Sequence, residues 1–156
     1  MQNSAETQAR ARTKGTQDPQ DKARTGSGAF TVMVIDDSKT IRRTAESLLR
    51  NEGFDVITAM DGFEALSKIA DYQPDLIFMD IMMPRLDGYQ TCALIKHHQV
   101  FKHTPVVMLS SKDGLFDRAR GRVVGSDHYI TKPFTREELL AAIEQHGSKA
   151  GPESGV

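Results

Sequence analysis

The fold is decided by the stretch "FTVMVIDDSKT", residues 30–40, in which an apolar run ends in two adjacent aspartates. An apolar run of this kind is typical of a strand that is buried on both faces of a parallel sheet. The residues that follow change to helical spacing, with Ile41, Ala45 and Leu49 on one face and Gly53 as a stop signal. The stretch therefore predicts one strand and one helix, joined by a turn that carries two carboxylates.

The same alternation of an apolar segment and a helical pattern repeats along the chain. Four further strands are predicted, at residues 54–59, 74–80, 104–110 and 127–131. Four further helices are predicted to begin at the capping residues Asp61, Asp87, Asp113 and Thr135. Strands that alternate with helices form a parallel sheet covered by helices on both faces. Right-handed crossovers then favour an α/β fold, a doubly wound flavodoxin-like (βα)5 sheet of strand order 2-1-3-4-5.

Composition divides the 156 residues into a domain and two loose ends. Residues 1–29 and 148–156 are polar and have no apolar period, so both are predicted to be disordered, and residues 30–147 form the domain. The formal net charge of −1 gives no reason to expect a nucleic acid as a partner. No apolar run approaches the roughly 20 residues of a membrane span, so we expect no membrane insertion. A single cysteine, Cys92, fits a reducing compartment and a cytoplasmic protein.

Polar residues stand where several of the predicted strands end. The first strand ends in Asp36 and Asp37, the third in Asp80, the fourth in Ser110, and the fifth is followed by Lys132. Ligands of doubly wound sheets bind outside the carboxyl ends of the strands, where the strand order reverses. Because strands 1 and 3 are neighbours at that point, the three carboxylates are predicted to converge there, with a hydroxyl and an ammonium beside them.

Three converging carboxylates are electrostatically unfavourable on their own. Two unit charges about 4 Å apart repel by roughly 4 kcal/mol at an effective dielectric constant near 20, so three carboxylates cost on the order of 10 kcal/mol. One lysine does not offset this, and either some of the carboxylates are protonated or a divalent cation binds. An all-oxygen cluster with few carboxylates suits Mg²⁺. Mg²⁺, a lysine and a hydroxyl are the groups that phosphoryl transfer requires. Asp80 is the best candidate for its nucleophile.

These motifs together resemble the receiver domain (CheY-like) of two-component response regulators. The resemblance covers residues 31–147 and rests on the Asp36-Asp37 pair, on Asp80 followed by "IMMPRLDG", on the hydroxyl in "VVMLSS" and on "KP" at 132–133. It implies that Asp80 is the phosphoacceptor. It also implies that Mg²⁺ is bound by the carboxylates of Asp37 and Asp80, by Asp36 directly or through water, and by the backbone carbonyl of Met82.

The same resemblance assigns roles to the residues of the later strands. Lys132 would contact the phosphoryl oxygens and form a cis peptide bond with Pro133. Ser110 would be the hydroxyl that moves to the phosphoryl group, and Tyr129 would be the aromatic switch. The longer stretches "VIDDSKTIRRTAE" and "DIMMPRLDGYQTCALIK" further resemble single-domain regulators of the chemosensory systems that control type IV pili and twitching motility.

The resemblance also implies partners. A histidine kinase of the chemotaxis type would donate the phosphoryl group, and a pilus-related or motor protein would receive the signal by protein contact. The receiving surface would be formed by the fourth helix, the fifth strand and the fifth helix, and the fourth helix carries Arg118, Arg120 and Arg122. We expect a monomer that catalyses only its own phosphorylation and dephosphorylation and is not otherwise an enzyme.

Three other functions remain open at this point. A Mg²⁺-dependent phosphohydrolase also forms an aspartyl phosphate, but such enzymes usually place a second acid two residues after the nucleophile, where this chain has Met82. A flavin-binding module needs a phosphate-binding loop after the first strand, and "DDSKT" presents acids there. A receiver-like adaptor that is never phosphorylated would not need the complete set of chemical groups.

Several other residues have a simple structural interpretation. His97, His98 and His103 lie near a polar helix end without a matching acid or cysteine, so they are predicted to be surface residues rather than metal ligands. Cys92 lies on a helical apolar stripe and is predicted to serve packing. Met82 is predicted to lie at the mouth of the site, where its apolar side chain offers an attacking water molecule no hydrogen bond.

Overall fold

The protein is described by a computed structural model that covers residues 29–111 and 115–147. Residues 1–28 of the predicted tail, the predicted helix cap Asp113 and the predicted end at 148–156 lie outside the described residues. Within the described part, strands and helices alternate in the order β1 (Thr31–Ile35), α1 (Lys39–Asn51), β2 (Asp55–Ala59), α2 (Gly62–Tyr72), β3 (Leu76–Asp80), α3 (Gly88–Lys96), β4 (Val106–Ser110), α4 (Leu115–Val124), β5 (His128–Thr131) and α5 (Arg136–His146).

The strands form one parallel sheet in the order β2-β1-β3-β4-β5, which confirms the predicted fold class and strand order. The predicted strands begin one or two residues too early. The largest differences are at β3 and β4, which were expected from residues 74 and 104 and begin at Leu76 and Val106. A proline precedes each strand by one or two positions, Pro74 and Pro105, and proline has no N–H to donate to a sheet ladder.

Capping side chains begin the helices where the sequence predicts them. Asp87 and Thr135 form complete capping boxes with Gln90 and Glu138 at the starts of α3 and α5. Asp61 caps α2 by accepting a hydrogen bond from the backbone N–H of Glu64. The side chain of Glu64 reaches one residue further back than in a capping box and accepts the N–H of residue 60. These caps fix where each helix starts relative to the strand before it.

Two hydrophobic layers lie on opposite faces of the sheet. Because side chains alternate along a strand, β1 contributes Met33 and Ile35 to one layer and Val32 and Val34 to the other. The first layer packs against α2 and α3, and the second packs against α1 and α5. All residues of β1, β3 and β4 are buried. The carboxyl ends of these three strands therefore stand on a closely packed base.

The structural interpretations of the remaining residues are confirmed. His97, His98 and His103 are exposed. Cys92 is fully buried, and burial raises the pKa of its thiol to about 12, so the residue serves packing. Met82 is exposed. None of the described helices has the length and apolar character that crossing a membrane requires.

Candidate functional site

Acidic side chains from two neighbouring strands meet at the carboxyl edge of the sheet. β1 and β3 are paired in parallel, with Ile35 opposite Met79. The next residue of each chain segment, Asp36 after β1 and Asp80 at the end of β3, therefore lies at the same level of the sheet. Carboxylate oxygens of Asp36, Asp37 and Asp80 all lie within 4.8 Å of one another. The structure thus brings together the three aspartates that the sequence places at the ends of two strands.

Asp36 is the buried anchor of this group. Its side chain is fully buried, and its two carboxylate oxygens accept hydrogen bonds from the backbone N–H of Ser38 at 2.9 Å and from Nζ of Lys132 at 2.9 Å. Its backbone carbonyl accepts a hydrogen bond from Arg42 at 2.7 Å. Asp37 is exposed beside it. Since the oxygens of Asp36 are already hydrogen-bonded, Asp37 and Asp80 are the better placed of the three to bind an ion directly.

Lys132 connects the edge of the sheet to both buried carboxylates. Its Nζ lies 2.9 Å from Asp36 and 3.1 Å from Asp80, and its peptide bond to Pro133 is cis, as predicted. Burial by itself lowers the pKa of Lys132, but the hydrogen bonds and charges of Asp36 and Asp80 outweigh burial, so the pKa of Lys132 is raised overall. The lysine is therefore charged throughout the neutral pH range.

Ionisation of Asp80 is unfavourable in its surroundings. Burial and the nearby charge of Asp36 raise the pKa of Asp80 from an ordinary value of 3.8 to about 6, although the charge and hydrogen bond of Lys132 act in the opposite direction. One ammonium against three carboxylates leaves two negative charges in excess when all the groups are ionised. The protein side chains of the site therefore carry a net negative charge.

The ligand chemistry of the cluster fits a small, hard cation. Each of the three aspartates offers a carboxylate oxygen, and the described residues bring no histidine or cysteine into the cluster. Two oxygens on opposite sides of an Mg²⁺ ion lie about 4.2 Å apart, which is comparable with the spread of the three carboxylates. The residues present therefore fit Mg²⁺, and the exposed side of the cluster at Asp37 is open to water.

The other predicted site residues, Ser110 and Tyr129, lie on β4 and β5, further from β1 in the sheet. Ser110 is buried at the end of β4 and lies opposite Thr131 in the ladder with β5. Its backbone carbonyl accepts a hydrogen bond from the N–H of Lys132, which ties the two strand ends together. Tyr129 lies deeper in β5, opposite Met108, and packs partly buried against the core layer of α2 and α3.

A cavity of about 240 Å³ adjoins the site on the side of β4. It is lined by residues at the ends of β3 and β4 and just after them, among them Met82, Ser110 and Ser111, and by Tyr89 and Arg120. The guanidinium of Arg120 lies 4.6 Å from the ring centroid of Tyr89. Arg120 is also exposed, and its place on a partner-binding face stays a prediction. The side chain of Arg118 lies outside the described part.

Two groups of residues near the site were missed by sequence reasoning. Arg42 was missed because a basic residue on an amphipathic helix has the same sequence signature whether it faces solvent or a buried carbonyl. Arg85 and Asp61 form an ion pair at 2.9 Å between the loop after β3 and the start of α2. Asp61 was recognised only as a helix cap, and no local pattern connects it with an arginine 24 residues later.

The chain belongs to the response regulator receiver domain family, whose model matches residues 32–144. It is similar to the protein PilG of Pseudomonas aeruginosa, with 68% identity over 130 residues that cover 83% of this chain and 96% of PilG.

Solved structures of receiver domains share this fold. The chemotaxis protein CheY4 of Vibrio cholerae is 31% identical with a TM-score of 0.74, and the match covers 76% of this chain and 99% of that chain. The receiver domain of a sensor histidine kinase from Pseudomonas aeruginosa is 26% identical with a TM-score of 0.72, over 78% and 99% of the two chains, and holds a magnesium ion coordinated in its active site cleft. The chain is thus a CheY-like receiver domain of the two-component class, as the sequence indicates.

Proposed function

We propose that this chain is a phosphorylation-activated switch of a chemotaxis-like two-component system, in which a histidine kinase phosphorylates Asp80. The observation that carries the proposal is the environment of Asp80. This buried carboxylate stands at the end of a central strand, with Lys132 at 3.1 Å and two further acids within 4.8 Å. Such a site can hold both a cation and a phosphoryl group beside a single nucleophile.

In the proposed reaction, a carboxylate oxygen of Asp80 attacks the phosphorus atom of a phosphohistidine. The new O–P bond forms as the N–P bond breaks, and the imidazole leaving group takes a proton from solvent. Mg²⁺ would be held by the carboxylates of Asp37 and Asp80, by Asp36 directly or through water, and by the carbonyl of Met82. When bound, it would supply positive charge to the phosphoryl oxygens. The pKa of Asp80, about 6, leaves this carboxylate mainly ionised at neutral pH, as a nucleophile requires.

Lys132 is the residue best placed to contact the transferred group. Its ammonium already bridges Asp36 and Asp80, so a phosphoryl group on Asp80 would lie within its reach. Asp36 and the N–H of Ser38 hold this arrangement in the unphosphorylated protein. Ser110, one strand further along, would then donate its hydroxyl to a phosphoryl oxygen.

The energy available is sufficient for a two-state switch. A hydrogen bond to a charged group contributes roughly 1.5–3 kcal/mol, and a shift from 1:99 to 99:1 needs about 5.5 kcal/mol. Two or three new bonds from Ser110, Lys132 and nearby N–H groups would reach that value. Ser110 would be drawn toward the phosphoryl group, and Tyr129, on the neighbouring strand β5 opposite Met108, would follow.

The proposed output surface is the face formed by α4, β5 and α5. β5 is an edge strand of the sheet, and a surface cavity of about 360 Å³ lies between it and α5, lined by Tyr129, Thr131, Glu138 and Ala142 among others. A surface of this shape beside the predicted switch residue supports signalling by protein contact. The similarity to PilG and the resemblance to pilus regulators support a pilus-related or motor protein as the receiver of the signal, and twitching motility as the controlled process.

The decisive experiment is incubation of the full chain with Mg²⁺ and acetyl phosphate, followed by intact-mass measurement. We expect one added phosphoryl group in the wild type, none in Asp80→Asn, and unchanged labelling in the matched control Asp71→Asn, an exposed aspartate of α2. Labelling that survives Asp80→Asn would refute the assignment. Steady release of product from p-nitrophenyl phosphate would instead favour the phosphohydrolase alternative.

The pilus role has its own test in a twitching assay. A strain that lacks this gene should recover its twitching zone with the wild-type gene and fail to recover it with Asp80→Asn. Full recovery with Asp80→Asn would favour the alternative of an unphosphorylated adaptor.

A further inference from the structure

The loop that follows Asp80 carries the carbonyl of Met82, and the base of this loop is fixed. Gly88, at the start of α3, donates its backbone N–H to the carbonyl of Ile81 at 2.9 Å. A Cβ atom on Gly88 would lie 2.3 Å from the backbone oxygen of Asp80, so glycine is required for the helix to begin this close to the strand. The two ends of the loop are therefore held against β3.

The tip of the same loop adopts a strained turn. The backbone N–H of Leu86 donates to the carbonyl of Pro84 at 2.7 Å and closes a three-residue γ-turn around Arg85, whose φ is 67°. A γ-turn with positive φ at its centre is the rare and strained form, and arginine is not among the residues enriched in that region. Met82, Pro84 and Arg85 are exposed. Met83, between Met82 and Pro84, is buried in the core layer of α2 and α3 and fixes the chain before the turn, but burial does not hold the exposed side chain of Arg85.

The side chain of Arg85 ties the tip to a different part of the protein. Its guanidinium lies 2.9 Å from the carboxylate of Asp61 and 5.1 Å from the ring centroid of Phe63. Both partners belong to the start of α2, and we call these three residues the loop clip. An ion pair and a cation–π contact from the same guanidinium define both its position and its orientation.

The anchor of the loop clip is itself rigid. Asp61 accepts the backbone N–H of Glu64 at 2.7 Å as the cap of α2. A Cβ atom on Gly62, the next residue, would lie 2.3 Å from the hydroxyl oxygen of Thr91 in α3, so α2 begins in close contact with α3. The loop clip therefore connects an exposed loop tip to a packed helix junction.

We propose that the loop clip is a positioning device for the cation site. By holding Arg85 at its positive φ, it fixes the course of the loop three residues after Met82 and, through the loop, the position of the Met82 carbonyl. The inference rests on the proposed function, because that function assigns the carbonyl to Mg²⁺. Mg²⁺ demands near-octahedral geometry, and when only a fraction of molecules has the competent loop, the apparent Kd rises in inverse proportion to that fraction.

The test is calorimetric titration of the full chain with Mg²⁺ alone. Arg85→Ala removes the clip, and Asp61→Asn keeps an acceptor for the Glu64 N–H while it removes the charge. We expect each variant to raise the Kd for Mg²⁺ roughly two- to fivefold, and the double variant to raise it no further than the larger single effect. Arg85→Lys should restore most of the affinity. The control Arg50→Ala removes an exposed arginine with a carboxylate partner on α1 and should leave the Kd unchanged.

A second readout separates positioning from general stability. Hydrogen exchange of the Leu86 amide should accelerate in Arg85→Ala, while the midpoint of urea unfolding changes little. An unchanged Kd for Mg²⁺ in Arg85→Ala would overturn the proposal. A raised Kd that comes with a clearly lowered urea midpoint would overturn it as well, because general destabilisation would then account for the change. Wild-type protein that binds Mg²⁺ but is not labelled by acetyl phosphate would refute the proposed function and leave the loop clip standing. Labelling of the wild type by acetyl phosphate, together with a Kd for Mg²⁺ that does not change in Arg85→Ala, would refute only the positioning role of the loop clip.

Discussion

Asp80→Asn should make the metal-free protein more stable at neutral and alkaline pH. The pKa of Asp80 is about 6 in the folded protein against an ordinary 3.8, because burial and the charge of Asp36 oppose its ionisation. One pKa unit corresponds to about 1.4 kcal/mol, so ionised Asp80 costs the fold about 3 kcal/mol. Asparagine has nearly the same shape and no charge, and Lys132 keeps Asp36 as its partner at 2.9 Å.

The pH dependence follows from the direction of this shift. The folded state binds the Asp80 proton more tightly than the unfolded state. The contribution of Asp80 to the free energy of unfolding of the wild type is therefore largest below pH 4. This contribution is lost as the pH rises from about 4 through 6. The advantage of Asp80→Asn should therefore be near zero at pH 4, appear between pH 4 and 6, and reach about 3 kcal/mol at pH 8.

The assay is urea unfolding from pH 4 to pH 8 in the presence of EDTA. The matched control Asp71→Asn changes an exposed aspartate of α2 and should stay within about 0.5 kcal/mol of the wild type at every pH. Adding Mg²⁺ at pH 8 should stabilise the wild type more than Asp80→Asn. If Asp80→Asn were less stable than the wild type at pH 8, or if the difference did not change with pH, the electrostatic account of the site would be wrong.

Three further substitutions test other parts of the molecule. Met82→Asn should accelerate loss of the phosphoryl group about fivefold, the effect of one net hydrogen bond to the attacking water; equal rates of phosphate release would contradict this. Tyr129→Ala should leave labelling by acetyl phosphate intact but weaken partner binding at least about tenfold, as measured by titration of the phosphorylated protein, and a loss of labelling would count against a switch role. Gly88→Ala should cost about 3 kcal/mol in urea unfolding, because its Cβ would meet the backbone oxygen of Asp80 at 2.3 Å, and wild-type stability would show that α3 can shift.

Much of the fold could be predicted because its signals are local. The apolar run of β1, the caps Asp61, Asp87 and Thr135, and the stop at Gly53 each act within a few residues. The caps and the stop appear in the structure where the sequence places them, and β1 begins one residue later than predicted. The errors at the starts of β3 and β4 are local as well. An apolar run flanked by a proline predicts a longer strand than the one that forms, because a proline cannot donate a ladder hydrogen bond.

The candidate site was predictable only in part, since its contacts span the chain. Strand order places Asp36 and Asp80 at the same edge, and this could be derived from the alternation of strands and helices. The contact between Lys132 and Asp36, two residues 96 positions apart, depends on the register of several strands. The turn of Arg120 toward Tyr89 depends on how α4 packs, which no period in the sequence reveals.

The sequence by itself determined the strands, the helix caps and the placement of carboxylates, a hydroxyl and an ammonium at strand ends, because periodicity and capping are short-range properties of the chain. Only the tertiary structure decided which of the acids is buried, that Asp80 bears the raised pKa, and that Arg85 is tied to Asp61 and Phe63. The physical reason is that burial, charge proximity and side-chain pairing are set by the packing of distant segments against one another.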